Sequence, residues 1–483
     1  VGAFFLSKTD YGMKKLAVNV IKRRILADTI TPVSIYLKVR DIYPNSLLLE
    51  SSDYHSKENS YSFICMDPLA EFLVHHNVIS TSLPGQEIYR EAAGPGNKVV
   101  ESLRNFLTAF DIESGGEALL VDGIFGYASF DAVQYFEDIS FQSTLPDKED
   151  IPEMRYNFFR FVLAINHLTN ELLLFEHIVN GGNSEIDRVS TLLHNRNIAT
   201  YGFASSGKES SRLSDDDFKA MVARGKEHCY RGDVFQIVLS RQFYQDFTGD
   251  EFNVYRALRS INPSPYLFYF DYGSYKLFGS SPEAQIEVKD GRAYINPIAG
   301  TFRRTGNDRE DQELARKLTE DEKENAEHVM LVDLARNDLS RTTRKVQVED
   351  YREIQFYSHV IHMVSKVSGE VPEDVNSIRI LAESFPAGTL SGAPKYRAME
   401  LIDQYEGKRR GYYGGAIGFL RFNGDINHAI MIRSFLSRDH RLYYQAGAGV
   451  VSESTEEGEL QEVNNKLAAL KSAIEMATNM NKY

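Results

Sequence analysis

The stretch DDDFKAMVARGKEHCYRGDVFQIVLS, residues 215–240, decides the fold class. Phe218, Met221 and Val222 recur at helical spacing, so residues 215–231 are expected to form a helix. Gly232-Asp233 then turns the chain into an apolar run, 234–240, that reads as a strand. Working outward, strands are expected at 265–270, 276–279, 283–288 and 292–298, and helices at 308–335 and 454–477. Residues 411–422 and 426–435 read as two neighbouring strands. Upstream, the runs 158–165 and 171–175 flank a polar turn and predict a hairpin, while the acidic, proline-containing segment 143–152 predicts a surface loop. Strands and helices are both abundant but do not alternate as regular βαβ units, which makes the class α+β. The polar stretch 205–217 is the candidate boundary. It divides an N-terminal lobe, 1–205, from a second domain, 206–483.

Composition narrows the function. The 483 residues are 42% hydrophobic and 25% charged, the balance of a globular chain with a large core. A formal net charge of −14 supplies no general basic field, so nucleic acid and anionic membrane are not expected partners. The two cysteines, Cys65 and Cys229, are far apart, which excludes a disulfide scaffold and a Cys-rich zinc site and favours a reducing compartment, the cytoplasm. No apolar run reaches the roughly 18 residues of a membrane helix. Met13-Lys14-Lys15 reads as a natural start, preceded by an extension with no role in the fold.

Several constellations could carry chemistry. Glu324 with Glu327, and Glu459 with Glu462, are acidic pairs three residues apart, so each pair shares a helix face. Such pairs are usually solvated. If the two faces met, four carboxylates would need protons or a divalent cation, and oxygen-only ligands favour magnesium or calcium over zinc. Small-residue segments at 297–301, 387–394 and 446–449 let backbone N–H groups approach an anion, or are ordinary turns. Arg433 lies in the apolar run 430–435, where its guanidinium needs either a substrate carboxylate or a structural acid. His359 and His362 fit either core histidines or acid–base groups.

Together these segments resemble the chorismate-utilising enzymes, and among them the large subunits of anthranilate synthase. The resemblance is carried in order by GDVFQIVLSR (232–241), NPSPYLFYF (262–270), SSPEAQ (280–285), PIAGT (297–301), ENAEHVMLVDLARNDLSR (324–341), SHVIHMVS (358–365), GTLSGAPKYRAMELI (388–402), GYYGGAIG (411–418), IMIRS (430–434) and QAGAGVV (445–451). It implies two-lobed, β-sandwich-like sheets with helices packed outside. It further implies that Glu327 and Glu462 hold magnesium (Mg2+), with Glu324 and Glu459 close by. Gly300, Thr301, Gly447, Ala448 and Gly449 would line chorismate, with Thr389 nearby, and Tyr413 and Arg433 would hold its enolpyruvyl carboxylate. Glu283 would be the general acid for the leaving ring hydroxyl, and His362 would assist pyruvate elimination.

The same resemblance separates sister activities. Isochorismate- and salicylate-forming members carry a water-activating Lys where this chain has Gln236, and aminodeoxychorismate synthases usually carry a nucleophilic Lys where it has Ala299. Amination of chorismate by ammonia to anthranilate, the first step of tryptophan synthesis, is therefore implied. The family's tryptophan feedback site would comprise Glu50 and Ser51, facing the ligand ammonium, with Pro265, Tyr266 and Leu267 walling the indole. Neither cysteine stands on a nucleophile turn, so a separate glutamine amidotransferase subunit is the expected ammonia source, in a hetero-oligomer. Two rivals remain: an aminodeoxychorismate synthase working without that Lys, and a tryptophan-binding regulator with a dead active site.

Overall fold

Ser214 starts the helix Asp215–Arg231 with a reciprocal cap: its hydroxyl accepts from the Asp217 N–H, and the Asp217 carboxylate accepts from Ser214. Three aspartates in the first turn suit the positive end of the helix dipole, and Gly232 ends it in the left-handed region, at φ 79°. The strand Gln236–Gly249 follows. It pairs antiparallel with Arg441–Val450 from Ile237↔Val450 to Asp246↔Arg441, and on its other edge with Phe203–Ser211. A computed structural model describes residues 15–480, apart from 52–60, 95, 97, 113–115, 196 and 358–359. Met13 and His359 lie outside the described residues, as does the side chain of Thr301.

The described strands join in one large sheet, antiparallel except where Leu16–Leu26 meets Phe110–Ile112. Pairings link the two halves of the chain directly. Leu47–Glu50 lies against Tyr266–Asp271, and Gly123–Ala128 against Ala416–Arg421. Helices pack on the sheet, with Glu456–Asn479 lying against Arg441–Val450 and the helices Asp215–Arg231 and Phe252–Ile261. The class is α+β, and the expected hairpin is the pair Met154–Asn166 and Glu171–Val179.

Five local expectations need correction. The expected strand 292–298 ends at Ile295, and Ile298 opens a separate strand, Ile298–Arg303. Residues 205–211 of the expected linker belong to an edge strand, Phe203–Ser211, in which 204–209 are exposed, so the composition imitates a loop. The helical stretch 308–335 is two helices, Asp308–Glu320 and Glu322–Ser340, because the Asp321 side chain caps the second by accepting from Glu324 N. Only Ala416–Arg421 of 411–422 is strand, residues 411–414 being a turn. The expected strand 426–435 is broken into Ile426–Ile430 and Ser434–Arg438, with Arg433 between them at φ 50°.

Candidate functional site

The carboxyl end of the strand Arg441–Val450 gathers most of the expected residues. Gly449 packs against Gln236, whose Nε2 would lie 2.5 Å from a Cβ at that position, so a side chain there would displace the Gln236 amide. The same Nε2 donates to Glu327 Oε1 at 3.1 Å. Two residues back, the Gly447 carbonyl accepts from Lys466 Nζ at 2.9 Å, and Lys466 pairs with Glu462 Oε1 at 2.6 Å. Glu327 and Glu462 are thus each linked to this strand through an intermediate side chain, Glu327 through Gln236 beside Gly449 and Glu462 through Lys466 on the Gly447 carbonyl. Glu324 Oε2 reaches the opposite wall, 3.1 Å from where a Gly300 Cβ would sit, and Glu459 is buried. The donors are oxygens throughout, a set that fits a hard divalent cation.

Glu283 and His362 lie in complementary protonation states. Burial pushes the Glu283 carboxyl up to about 8, against the Thr389 hydroxyl, which donates to Oε1 at 3.1 Å, and the Lys466 charge. Glu283 therefore keeps its proton at neutral pH. Burial and the Arg433 charge pull His362 below the usual imidazole range, although its bond to Gly300 opposes them. A carbonyl can only accept, so the 3.0 Å contact with Gly300 O places the proton on His362 Nδ1 and the lone pair on Nε2. Gly300 itself needs a positive φ of 66°, and a Cβ there would meet Leu318 Cδ1 at 2.4 Å. Thr301 follows in register with His362, and Ala299 is buried in the same strand beside Met363.

Arg433 is largely enclosed at the broken strand, and it donates to the Lys466 carbonyl. Burial pulls its guanidinium below the usual range, while Tyr413 and Glu462 push it back. The positive φ of a bulky residue costs on the order of 1–3 kcal/mol, which suits a side chain held for a task. Tyr413 is buried with its hydroxyl 3.2 Å from a notional Gly447 Cβ, and burial pushes it up to about 12. Ala448 is fully buried, opposite Leu239.

Sequence reading missed two cations here. Lys466 links Glu462, Gly447 and the field at Glu283. Fully buried Arg410 braces the floor by donating to Glu406, Leu390 O and Val238 O. Its guanidinium also lies 5.8 Å from the centre of the Tyr413 ring.

A cavity of about 120 Å3 lies where the two halves of the chain pair. Glu50, Ser51, Pro265, Tyr266 and Leu267 all line it, and Leu267 stands in register with Glu50. The Glu50 carboxylate is held by Arg259 through contacts of 2.8–3.0 Å and by the Tyr255 hydroxyl at 2.6 Å, so a ligand ammonium there would share it with a guanidinium. Arg421 and Phe419 also line this cavity and were not expected.

The chain is similar to known proteins over nearly its whole length. The chain is 37% identical to anthranilate synthase component 1 of Aquifex aeolicus (strain VF5), covering 96% of this chain and 97% of that protein. It is 37% identical to the same component of Acetivibrio thermocellus, with 95% of each covered. The crystal structure of anthranilate synthase component I from Streptococcus pneumoniae TIGR4 superposes with a TM-score of 0.75 at 30% identity, over 93% of this chain and 99% of that one. Residues 49–472, which include every site residue above, match the description "chorismate binding enzyme", and it is to the chorismate-binding enzymes that this chain belongs.

Proposed function

We propose that this protein is an anthranilate synthase component 1, which aminates chorismate with ammonia and eliminates pyruvate. The observation that carries the reading is the pair Gln236 and Ala299. An amide that donates to Glu327 cannot deprotonate water, and a buried alanine cannot form a covalent intermediate, so the nucleophile is one that needs no base. Arg433 and Tyr413 hold the enolpyruvyl carboxylate. Backbone groups of Gly300, Thr301 and 447–449 line the ring, and Thr389 orients Glu283. As ammonia bonds to the ring carbon and both ring double bonds shift, protonated Glu283 gives its proton to the departing hydroxyl, which leaves as water, and the new ammonium group then loses its extra proton to become the amine. His362 Nε2 then takes the ring proton while the bond between the ring carbon and the enolpyruvyl oxygen breaks, leaving an aromatic ring and enolpyruvate, which becomes pyruvate by taking up a proton at its methylene carbon. Magnesium held by Glu327 and Glu462, with Glu324 and Glu459 beside them, supplies positive charge for the ring carboxylate.

The ammonia comes from a glutamine amidotransferase subunit. Burial pushes both thiols upward, Cys65 strongly, which suits neither to a nucleophile's role. Residues 1–205 carry Glu50 and Ser51 of a tryptophan feedback site, and 206–483 carry the chemistry. No helix among the described residues is long and apolar enough to cross a membrane.

Incubation with chorismate, magnesium and ammonium at alkaline pH should generate anthranilate fluorescence. A 4-aminobenzoate precursor in its place would overturn the reading. Glu462→Gln should lower that activity about 100-fold or more, with partial recovery at high magnesium; unchanged activity, or full activity in excess EDTA, would remove the metal assignment. For feedback, the chain has no Trp, so bound tryptophan is the only indole present. Its emission should shift to the blue and saturate, and Ser51→Phe should abolish that change while ammonia-dependent turnover stays within about twofold. A wild type without saturable emission up to millimolar tryptophan would refute the feedback site alone.

A further inference from the structure

Far along the chain from these residues, the turn between the strands Tyr61–His75 and Val78–Ser82 brings two imidazoles together. His76 and Asn77 take positive φ values of 50° and 61°, the backbone of a two-residue hairpin turn. The rings of His75 and His76 stack with centroids 3.8 Å apart. Both turn an edge to Asp150, with His75 Nε2 3.5 Å and His76 Nε2 3.2 Å from Oδ2. One ligand atom from each of the three residues falls within 4.8 Å of the others. A tetrahedral ion with bonds of about 2.0–2.1 Å sets its ligand atoms roughly 3.3 Å apart, so two edges of such a site already have the right length.

The surroundings place a carboxylate on the far side of the His75 ring. His75 Nδ1 faces Glu153 Oε2 at 3.7 Å, and that carboxylate is held in place by the backbone N–H of His76 at 3.1 Å. A metal-bound imidazole characteristically gives its second N–H to a carboxylate, and Glu153 is the carboxylate that faces His75 Nδ1, a buried nitrogen that at this separation has no hydrogen-bond partner of its own among the described residues. Arg438 donates to the Asp150 carbonyl, and its charge opposes a cation, but Asp150 and Glu153 together exceed it. Two imidazoles and a carboxylate favour zinc or nickel over magnesium.

We propose that His75, His76 and Asp150 form a binding site for a zinc-type divalent cation, with Glu153 as the positioning residue for His75. Occupancy would fasten the hairpin turn to the loop at 147–153. Within that loop Glu149 is buried and takes Lys408 Nζ at 2.5 Å and Gln242 Nε2 at 2.7 Å, so the ion would tie down a segment anchored in the sheet. Binding to the folded state alone raises its melting temperature.

The test is calorimetric titration of chelator-treated protein with zinc chloride in saturating magnesium, which competes for the all-oxygen site. One equivalent should bind with micromolar affinity and raise the melting temperature. His76→Ala and Asp150→Asn should each weaken binding about 100-fold and abolish the rise, and Glu153→Gln should weaken it about 10–100-fold. Cobalt should give the visible absorption of a tetrahedral, nitrogen-ligated ion in the wild type but not in Asp150→Asn. Metal-free melting curves matching the wild type establish that the variants fold. Failure of the wild type to take up zinc at micromolar concentration, or uptake by Asp150→Asn as tight as wild type, overturns the proposal.

Discussion

Replacing Glu283 by Gln is expected to lower anthranilate formation about 10²–10⁴-fold, the usual worth of a general acid. The amide keeps the size and the Thr389 contact but has no proton to release, so chorismate should bind with little change and the loss should fall on kcat. The raised position of the carboxyl gives this prediction a pH signature. Glu283 titrates at about 8, so its competent, protonated form is complete below that value and declines about tenfold per unit above it. Ammonia behaves oppositely, because alkali converts ammonium to the nucleophile. With free ammonia held constant, turnover should therefore fall as pH rises through about 8 in the wild type. The residual rate of Glu283→Gln should be flat through the same range. A wild-type profile that climbs past pH 9 at constant free ammonia would show that this carboxyl is not the acid.

The reach of sequence reading here follows from what patterns encode. The hairpin at 154–179 was legible because both arms are long apolar runs around a polar turn. Glu324, Glu327, Glu459 and Glu462 were legible as pairs on helix faces, since spacing of three needs no tertiary information. The kink at Arg433 was not legible. Ile432 and Ser434 flank it as they would in any strand, and one residue at positive φ leaves hydropathy unchanged. Lys466 and Arg410 were missed for a related reason: a charge on a helix or turn looks solvated until the fold shows what covers it. The acidic segment 143–152 reads as a surface loop, but Glu149 within it is buried against Lys408, a partner more than 250 residues away. Asp321 did carry a signal, because an aspartate three residues before Glu324 is a helix-start pattern inside a longer helical stretch.

His362→Met should divide the reaction at its middle. With Nδ1 fixed on Gly300 O, the Nε2 lone pair is needed only after amination, when the ring proton must leave. Methionine fills a similar volume without a base, so the variant should still consume chorismate and ammonia while anthranilate formation falls about 10²–10⁴-fold. An aminated species that retains the enolpyruvyl group should accumulate, with the mass of chorismate plus ammonia minus water. Glu283 has just lost its proton in a site whose burial favours regaining one, and that gives the slow residual route to product. Glu283→Gln should build up no such species, because its block lies before amination. Mass spectra of the two variants at matched chorismate consumption would separate these cases. Intact chorismate and no new mass in His362→Met would place His362 at the first step instead, as a group required for binding or amination.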